Sequence, residues 1–536
     1  MNTARRGLLE SALAGLALPI LRSLPVWAQL ASDDDTAGVF NVRAFGAVGD
    51  GKALDTAAIN RAIEAAASLG GGTVRVPAGE YVSYSIHLRS NVALYLDQGA
   101  VIIAGDTPHE GTTSGGYDAG ESNAPWEAYQ DFGHNHWHNS LIWGEGLHDI
   151  AILGPGLIWG RGLSRGHDDP ALPRAEAPGV GNKAIALKNC HNVLLRDFSI
   201  LQGGHFGVLA TGVDNLSIDN LRIDTNRDGI DIDCCRDVHV TNCTVNSPWD
   251  DGICPKSSFA LGYPRPTENV TISNCYVTGD YQLGTLLDAS FKRFGSDFDS
   301  HPWQRTGRIK CGTESNGGFK NIAISNCVFE SCRGLALETV DGGILEDITF
   351  TGVTMRDIRN APLFLRLGGR MRGPQGVPIG RLARVLIDNV ACYSPLNAMP
   401  SIIAGLPGHP VEDVKISNCF FLHKGGGTPE MAAIVPEEHP DDYPEPDRMG
   451  TLPAQHFYMR HARNMEFTNV ELASASPDAR PCFWMSDVQG ADLFRLKLPR
   501  DVESPAFQLE TVSDFRVAAS RGIKDAELSS VTQLRL

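Results

Sequence analysis

A six-residue phrase built on Asn-Cys recurs along the chain: VTNCTV around Cys243, ISNCYV around Cys275, ISNCVF around Cys327 and ISNCFF around Cys419. From about Asn91 to Leu472 these phrases sit among short segments of alternating apolar residues, such as NVALYLDQGAVIIAG, NVLLRDFSILQ and NLSIDNLRID, separated by Gly, Asn and Asp. The units repeat roughly every 20–30 residues, and helical periodicity is almost absent. One such unit cannot bury its own apolar face, but many stacked in register can, with the recurring Asn forming a ladder along the stack. The pattern predicts an all-β chain, a parallel β-solenoid. A sandwich or propeller is the rival, and neither explains why one turn residue returns in unit after unit.

The same repetition decides how to read the twelve cysteines. Cys243, Cys275, Cys327 and Cys419 fall at equivalent positions of successive units, where small apolar groups pack in a core. No CxxC pair is present, and Cys234-Cys235 are adjacent rather than spaced for a tetrahedral metal site. The formal charge of −17 over 536 residues argues against nucleic acid or an anionic membrane as a partner.

The first residues read as an export signal, 1–28. Arg5-Arg6 precede an apolar run, Val26-Trp27-Ala28 resembles a cleavage site, and the paired arginines suggest the twin-arginine route. Residues 29–38 read as a linker. The mature chain is expected to be periplasmic or secreted, monomeric and free of the membrane. FNVRAFGAVGDGKALDTAAINRAIEAAASLGGG then predicts a strand, a glycine-rich turn and a helix from about Asp55 to Ser68, with Ala57, Ile59, Ala62, Ile63 and Ala66 as its apolar stripe. The GAVGDG turn lacks the Lys-Ser/Thr of a phosphate loop. The helix is better placed as a cap over the open end of the solenoid. The solenoid itself is drawn from 39 to 472, and 473–536, with weaker strand signals, as closing strands.

Longer insertions at about 105–140, 160–180, 280–306, 368–380 and 422–455 are expected to flank a cleft. The first carries Trp126, Tyr129, His134, His136, Trp137 and His138; a loop-stabilising histidine cluster is the reading there, ahead of a metal site. Tyr281, Lys292, Arg293, His301, Trp303, Arg305, Arg308 and Lys310 form one basic group and Arg366, Arg370 and Arg372 another. Set against an acidic whole, these bases suggest recognition of an anionic sugar.

Acidic side chains crowd most densely between Arg222 and Ser258, at Asp228, Asp231, Asp233, Asp250 and Asp251. Two Asp clusters lie about one repeat apart, so coiling would bring them together on adjacent rungs, as two-carboxylate chemistry on a sugar requires. Asp231 and Asp233 alternate on one strand face and are expected to support the rung by hydrogen bonding.

The opening FGAVGDGKALDTAAINRAI, the GGGTVRVPAGEYV turn and the Asp-rich core resemble glycoside hydrolase family 28, the polygalacturonase family, over most of the mature chain. That resemblance implies a right-handed parallel β-helix, pectin-lyase-like, that hydrolyses pectic α-linkages with inversion and needs neither cofactor nor metal. The family's Asn-Thr-Asp motif matches Asn226-Arg227-Asp228, with Arg for Thr; its Asp-Asp pair matches Asp250-Asp251, and its following Lys matches Lys256. By resemblance Asp250 is the acid, with Asp228 and Asp251 orienting and deprotonating water, the acid and base roughly 6.5–9.5 Å apart. Crowding of like charges should raise one of their pKa values.

The departures are as informative. Gly307 stands where the family has His, and the Arg-Ile-Lys motif should fall at Ala336-Leu337-Glu338, where neither base is present. Arg308-Ile309-Lys310 lies one rung early. Residues expected to meet substrate are Lys256, Arg308, Lys310, Glu338, Trp249 and Arg366. The partner expected is a pectic polysaccharide or oligosaccharide, with rhamnogalacturonan or another decorated pectin as the alternative; a calcium-dependent polysaccharide lyase and a non-catalytic glycan-binding solenoid are the rivals from other classes.

Overall fold

The computed structural model describes residues 38–106, 116–165, 174–296, 305–499 and 504–536. The expected export signal and the linker up to residue 37, together with His301 and Trp303, lie outside them. One turn of the coil is made by three strands, Asp228–Asp233, Arg236–Thr241 and Thr244–Asn246; the next by Ile253–Lys256, Thr267–Ser273 and Tyr276–Thr278. They pair in parallel, with Asp231 beside Cys254, Val238 beside Val270 and Val245 beside Val277. The inward residues of each rung, Ile230, Ile232, Val238, Val240 and Val245, are fully buried. The fold is the right-handed parallel β-helix.

Asparagine recurs because a turn of every rung needs a left-handed residue. Asn220, Asn242, Asn274 and Asn326 have φ of 56°, 58°, 56° and 54°, a conformation that Asn adopts far more readily than β-branched or bulky residues. Its amide then reaches the rung before: Asn242 Nδ2 donates to Asp219 Oδ1 at 2.8 Å, and Asn220 Nδ2 to Asp197 Oδ1 at 2.9 Å. A second ladder runs through Asn192, Asn215, Asn269 and Asn321. The cysteine after the turn points inward, and all twelve cysteines are buried free thiols.

Helix α1 spans Thr56–Ser68 and packs Ala58, Ile59, Ala62 and Ile63 against the first strands; Ala57, expected in the stripe, faces outward. Asp55 makes no side-chain cap. Its carboxylate instead takes the amides of Val48 and Gly49 at 2.7 and 3.0 Å, so the glycine-rich turn holds an internal anion.

The coil does not stop at 472. Phe457–Thr468, Phe483–Phe494 and Phe507–Ala518 continue it in parallel register, and Ala526–Arg535 turns back antiparallel at the end. The later rungs escape a reading by alternation because their left-handed residues, Asp487 at φ 51° and Gly490 at 77°, lie inside one unbroken strand and look like breaks in it.

Candidate active site

The acidic residues line the outer face of one stack of strands. Ile142–Glu145, Lys183–Lys188, Phe206–Thr211, Asp228–Asp233 and Ile253–Lys256 form it on one side. After the insertion that follows, Lys310–Cys311, Leu335–Thr339 and Leu363–Leu367 carry it on. Each half is covered by an insertion. Trp137 seals the first half against Ala186, Phe206 and Leu209, its Nε1 donating to Thr211 Oγ1 at 3.0 Å. Met449, Leu452 and Ala454 seal the second against Ala336, Phe364, Ile402 and Tyr458. The carboxylates occupy the strip left between.

In DGIDID the isoleucines Ile230 and Ile232 are buried in the coil, and Asp231 and Asp233, which alternate with them, face the other way. Gly229 allows the rungs to close: a Cβ there would lie 2.4 Å from Gly252 O and 2.6 Å from Val245 Cγ1. Asp228 is thereby brought to Asp250 and Asp251. The backbone amide of Asp251 donates to Asp228 Oδ1 at 3.2 Å and to Asp250 Oδ1 at 3.1 Å, and oxygens of the three carboxyls lie within 4.8 Å of one another.

Their surroundings differ. Asp228 is 2% exposed, and burial, then Asp231 and Asp250, push its pKa well above the usual carboxylate value. Burial alone would do the same to Asp251, but Lys310, Arg308 and Lys256 outweigh it and hold that carboxyl well below. Arg308 Nε donates to Asp251 Oδ1 at 2.8 Å, and Lys310 Nζ lies 3.2 Å from Oδ2. Asp250 is the open member, its side chain 26% exposed. Arg227, standing where the family has Thr, donates to its Oδ2 through Nη2 at 3.0 Å and Nε at 3.2 Å. Trp249, beside it, is half-buried, its ring edge-on to Phe294 with centroids 5.6 Å apart.

Asp231 does not support the rung as expected. It is fully buried, neither oxygen has a hydrogen-bond partner, and Lys256 Nζ lies 3.6 Å away. Burial raises its pKa, with Lys256 opposing. Asp233 does play the expected part, accepting from Ser258 N at 2.8 Å and Ser258 Oγ at 2.6 Å.

Arg308 and Lys310, one rung before their expected place, nevertheless reach the site, though buried and ion-paired. Glu338 sits on the next rung, its Oε2 3.8 Å from Lys310 Nζ and taking a 3.3 Å contact from the Thr313 hydroxyl; burial, opposed by Lys310 and Arg308, brings its pKa up to about 7. Lys256 is paired with Glu314 at 3.3 Å. Arg366 is turned towards its own chain. Its guanidinium donates to the carbonyls of Gly405, Glu438 and His439 at 3.3, 3.0 and 2.8 Å and so anchors the last insertion.

No histidine could replace Gly307, since any Cβ there would lie 2.1 Å from Thr278 O. A histidine comes from elsewhere. His134, of the first insertion, is buried with Nε2 3.9 Å from Glu314 Oε2 and groups with Asp228 and Asp231; burial, then Lys256, lowers its pKa to about 4, so the ring is neutral. Sequence had singled it out only as part of a loop cluster. Arg227, Tyr443 and Glu445 are further members that carried no role in the sequence reading. His134 with Asp228 and Asp231, and Glu121 with His138 and Glu145, have the donor types of a cation site. In the first, Lys256 already supplies a positive charge; in the second, His138 Nε2 is bonded to Glu145 Oε2 at 2.8 Å.

Fold and site together define a pectin-lyase-like parallel β-helix with a carboxylate cleft on one face of the coil. Within that class the chain is similar to glycoside hydrolase family 28 proteins. Residues 39–120 match the family model described as rhamnogalacturonase A/epimerase, pectate lyase-like, and 175–292 that of a right-handed beta helix region. A probable polygalacturonase of Vitis vinifera is 24% identical over 410 residues, 70% of this chain and 72% of its own. Among solved structures, the hyperthermoactive exopolygalacturonase of Thermotoga maritima superposes with TM-score 0.56 at 19% identity, covering 82% of this chain and 92% of that one. The Yersinia enterocolitica family 28 exopolygalacturonase gives 0.56 at 20%, covering 89% and 78%.

Proposed function

We propose that the protein is an exported glycoside hydrolase that cuts α-glycosidic bonds of a pectic polysaccharide by acid/base chemistry. The observation that carries this reading is the division of protonation inside one cluster. Asp251 is held ionised by Lys310 and Arg308 against its burial, while burial, reinforced by Asp231 and Asp250, favours the protonated form of Asp228. A glycosidase needs one carboxyl of each kind beside the bond. Asp251 is the base that takes a proton from water. Asp250, the exposed carboxyl, meets the leaving oxygen and passes on the proton held on its side of the cluster. His134, neutral, and Asp231 line the floor. The alkaline limit of activity then follows the raised pKa of the Asp228 side.

Inversion is the stereochemistry proposed from the family likeness. The nearest oxygens are within 4.8 Å, closer than the roughly 6.5–9.5 Å between carboxyl groups of an inverting pair, so the first-formed anomer is the deciding observation. The test incubates the mature protein with polygalacturonate and with rhamnogalacturonan, beside Asp250→Asn. Saturated products lost in the variant support hydrolysis, and proton NMR showing the β-anomer first supports inversion. Products absorbing in the ultraviolet would make it a lyase.

A further inference from the structure

The bases near the cut bond are already neutralised from within. Glu445, on the insertion that spans 424–456, is buried and accepts from Arg333 Nη1 at 2.8 Å and from Arg308 through Nη2 and, at 3.3 Å, Nη1; Lys310 Nζ lies 4.0 Å away. Burial would raise its pKa, but Arg308, Arg333 and Lys310 outweigh that and keep it ionised. With Asp251 and Glu338 against the same bases, three cations face three acidic groups in a space closed to water. The other basic group is spent likewise. Arg370 donates to Asp341 at 2.5 and 3.0 Å, Arg372 donates to the Tyr129 carbonyl at 2.5 Å, and Lys256 is held by Glu314. Arg293 is divided between Asp280 and Glu330.

Against two of these cations, Lys310 and Arg370, lies a ring open to solvent. Tyr443, 38% exposed, has Lys310 Nζ 5.6 Å and the Arg370 guanidinium carbon 5.8 Å from its ring centre, and its hydroxyl is 3.0 Å from that of Thr313. Lys310 in turn touches Asp251, so the ring stands next to the acid cluster. A sugar settling there meets an aromatic face and a hydroxyl, while the two cations against the ring, Lys310 and Arg370, are already paired with carboxylates of the chain.

Resting on the glycosidase reading above, we infer that the 424–456 insertion sets sugar specificity: Glu445 occupies the place of a substrate carboxylate, and the subsite at Tyr443 takes a neutral sugar ring. A uronate there would have to displace Glu445 from a buried network, losing charge-assisted bonds that a neutral ring leaves intact.

The experiment compares two ligands of one backbone, an oligogalacturonide as free acid and the same oligomer with its carboxylates neutralised as methyl esters. Binding is measured by calorimetry on Asp250→Asn, so that affinity does not depend on turnover, and hydrolysis is followed separately on the unmutated protein. Tighter binding of the ester, by about tenfold or more, is expected, together with a shift towards the free acid in Glu445→Gln, which releases Arg308 and Arg333. Tyr443→Ala, altered at a partly exposed position, should weaken the ester at least tenfold and the free acid little. Preference for the free acid in the parent protein, binding of neither ligand, or a Tyr443→Ala loss equal for both would overturn the inference. Selective binding of the ester without any hydrolysis would leave it standing and remove the glycosidase reading instead.

Discussion

At the scale of single residues, the cluster works by giving chemically identical carboxyls different neighbours. Asp251 is ionised because two cations within 3.2 Å overcome its burial; removing one should show in the pH profile. The base must be deprotonated, and its folded pKa lies below the ordinary carboxylate range, so the acid limb of kcat/KM in the parent protein falls below pH 4. Arg308→Gln should move that limb upward by a unit or more, and should cost about 3–5 kcal/mol of stability because Glu445 and Asp251 lose a buried partner. An acid limb that stays in place would show that Asp251 is not the base.

Glu338 gives the opposite sign. Its folded pKa of about 7 exceeds the ordinary 4.5, so the folded state prefers the protonated form. That contribution is whole below pH 4.5 and is lost as pH rises to 7, a matter of a few kcal/mol at most. Asp224, raised to about 6 by burial, pulls in the same direction. Thermal melting of Glu338→Gln should match the parent at pH 4.5 and exceed it at pH 8; an equal deficit at both would contradict the assignment.

At the scale of elements, each rung depends on its turns. Asn242 combines a left-handed backbone with a 2.8 Å bond to Asp219. Asn242→Ala forfeits both and should cost about 1–3 kcal/mol, whereas Asn242→Gly keeps the backbone freedom and loses the bond alone, roughly 1 kcal/mol. Denaturant unfolding of the two variants separates the terms, and equal losses would mean that the conformation contributes nothing. The turn phrase made these elements readable in the sequence, because the residue that solves the turn also marks it. Where a turn hides inside a long strand, as at Asp487, the same logic failed. What the insertions do depends on pairings over great sequence distance: Glu445 is 137 residues from Arg308, and no local pattern announces such a pair. Asp228, Asp250 and Asp251 were legible because one rung of sequence separates them. The bonds of Arg366 to the carbonyls of Gly405, Glu438 and His439 were not legible, since a basic residue looks the same in sequence whether it faces sugar or its own backbone.

For the coil as a whole, the consequential feature is how it ends. A parallel stack always leaves its last strand with unpaired N–H and C=O groups along one side, an invitation to pair with another chain. Here the last parallel strand, Phe507–Ala518, is met by Ala526–Arg535 running antiparallel along its length, from Gln508 beside Arg535 to Val517 beside Ala526. The closing strand is mostly polar, AELSSVTQLR, and half-exposed or exposed throughout, so it contributes little core; its chief effect is to satisfy that edge and present Glu527, Gln533 and Arg535 in place of bare backbone. A chain ending at Ala519 should keep the buried Phe507, Leu509 and Phe515 against the preceding rung, and with them most of its stability and activity. It should self-associate through the uncovered strand. Light scattering coupled to gel filtration would then show larger species than the full chain at the same concentration, with near-normal turnover per chain. A truncated chain of unchanged mass distribution would mean that the twist of the last rung protects the edge by itself, and one that failed to fold would mean that the closing strand holds the coil together rather than merely covering it.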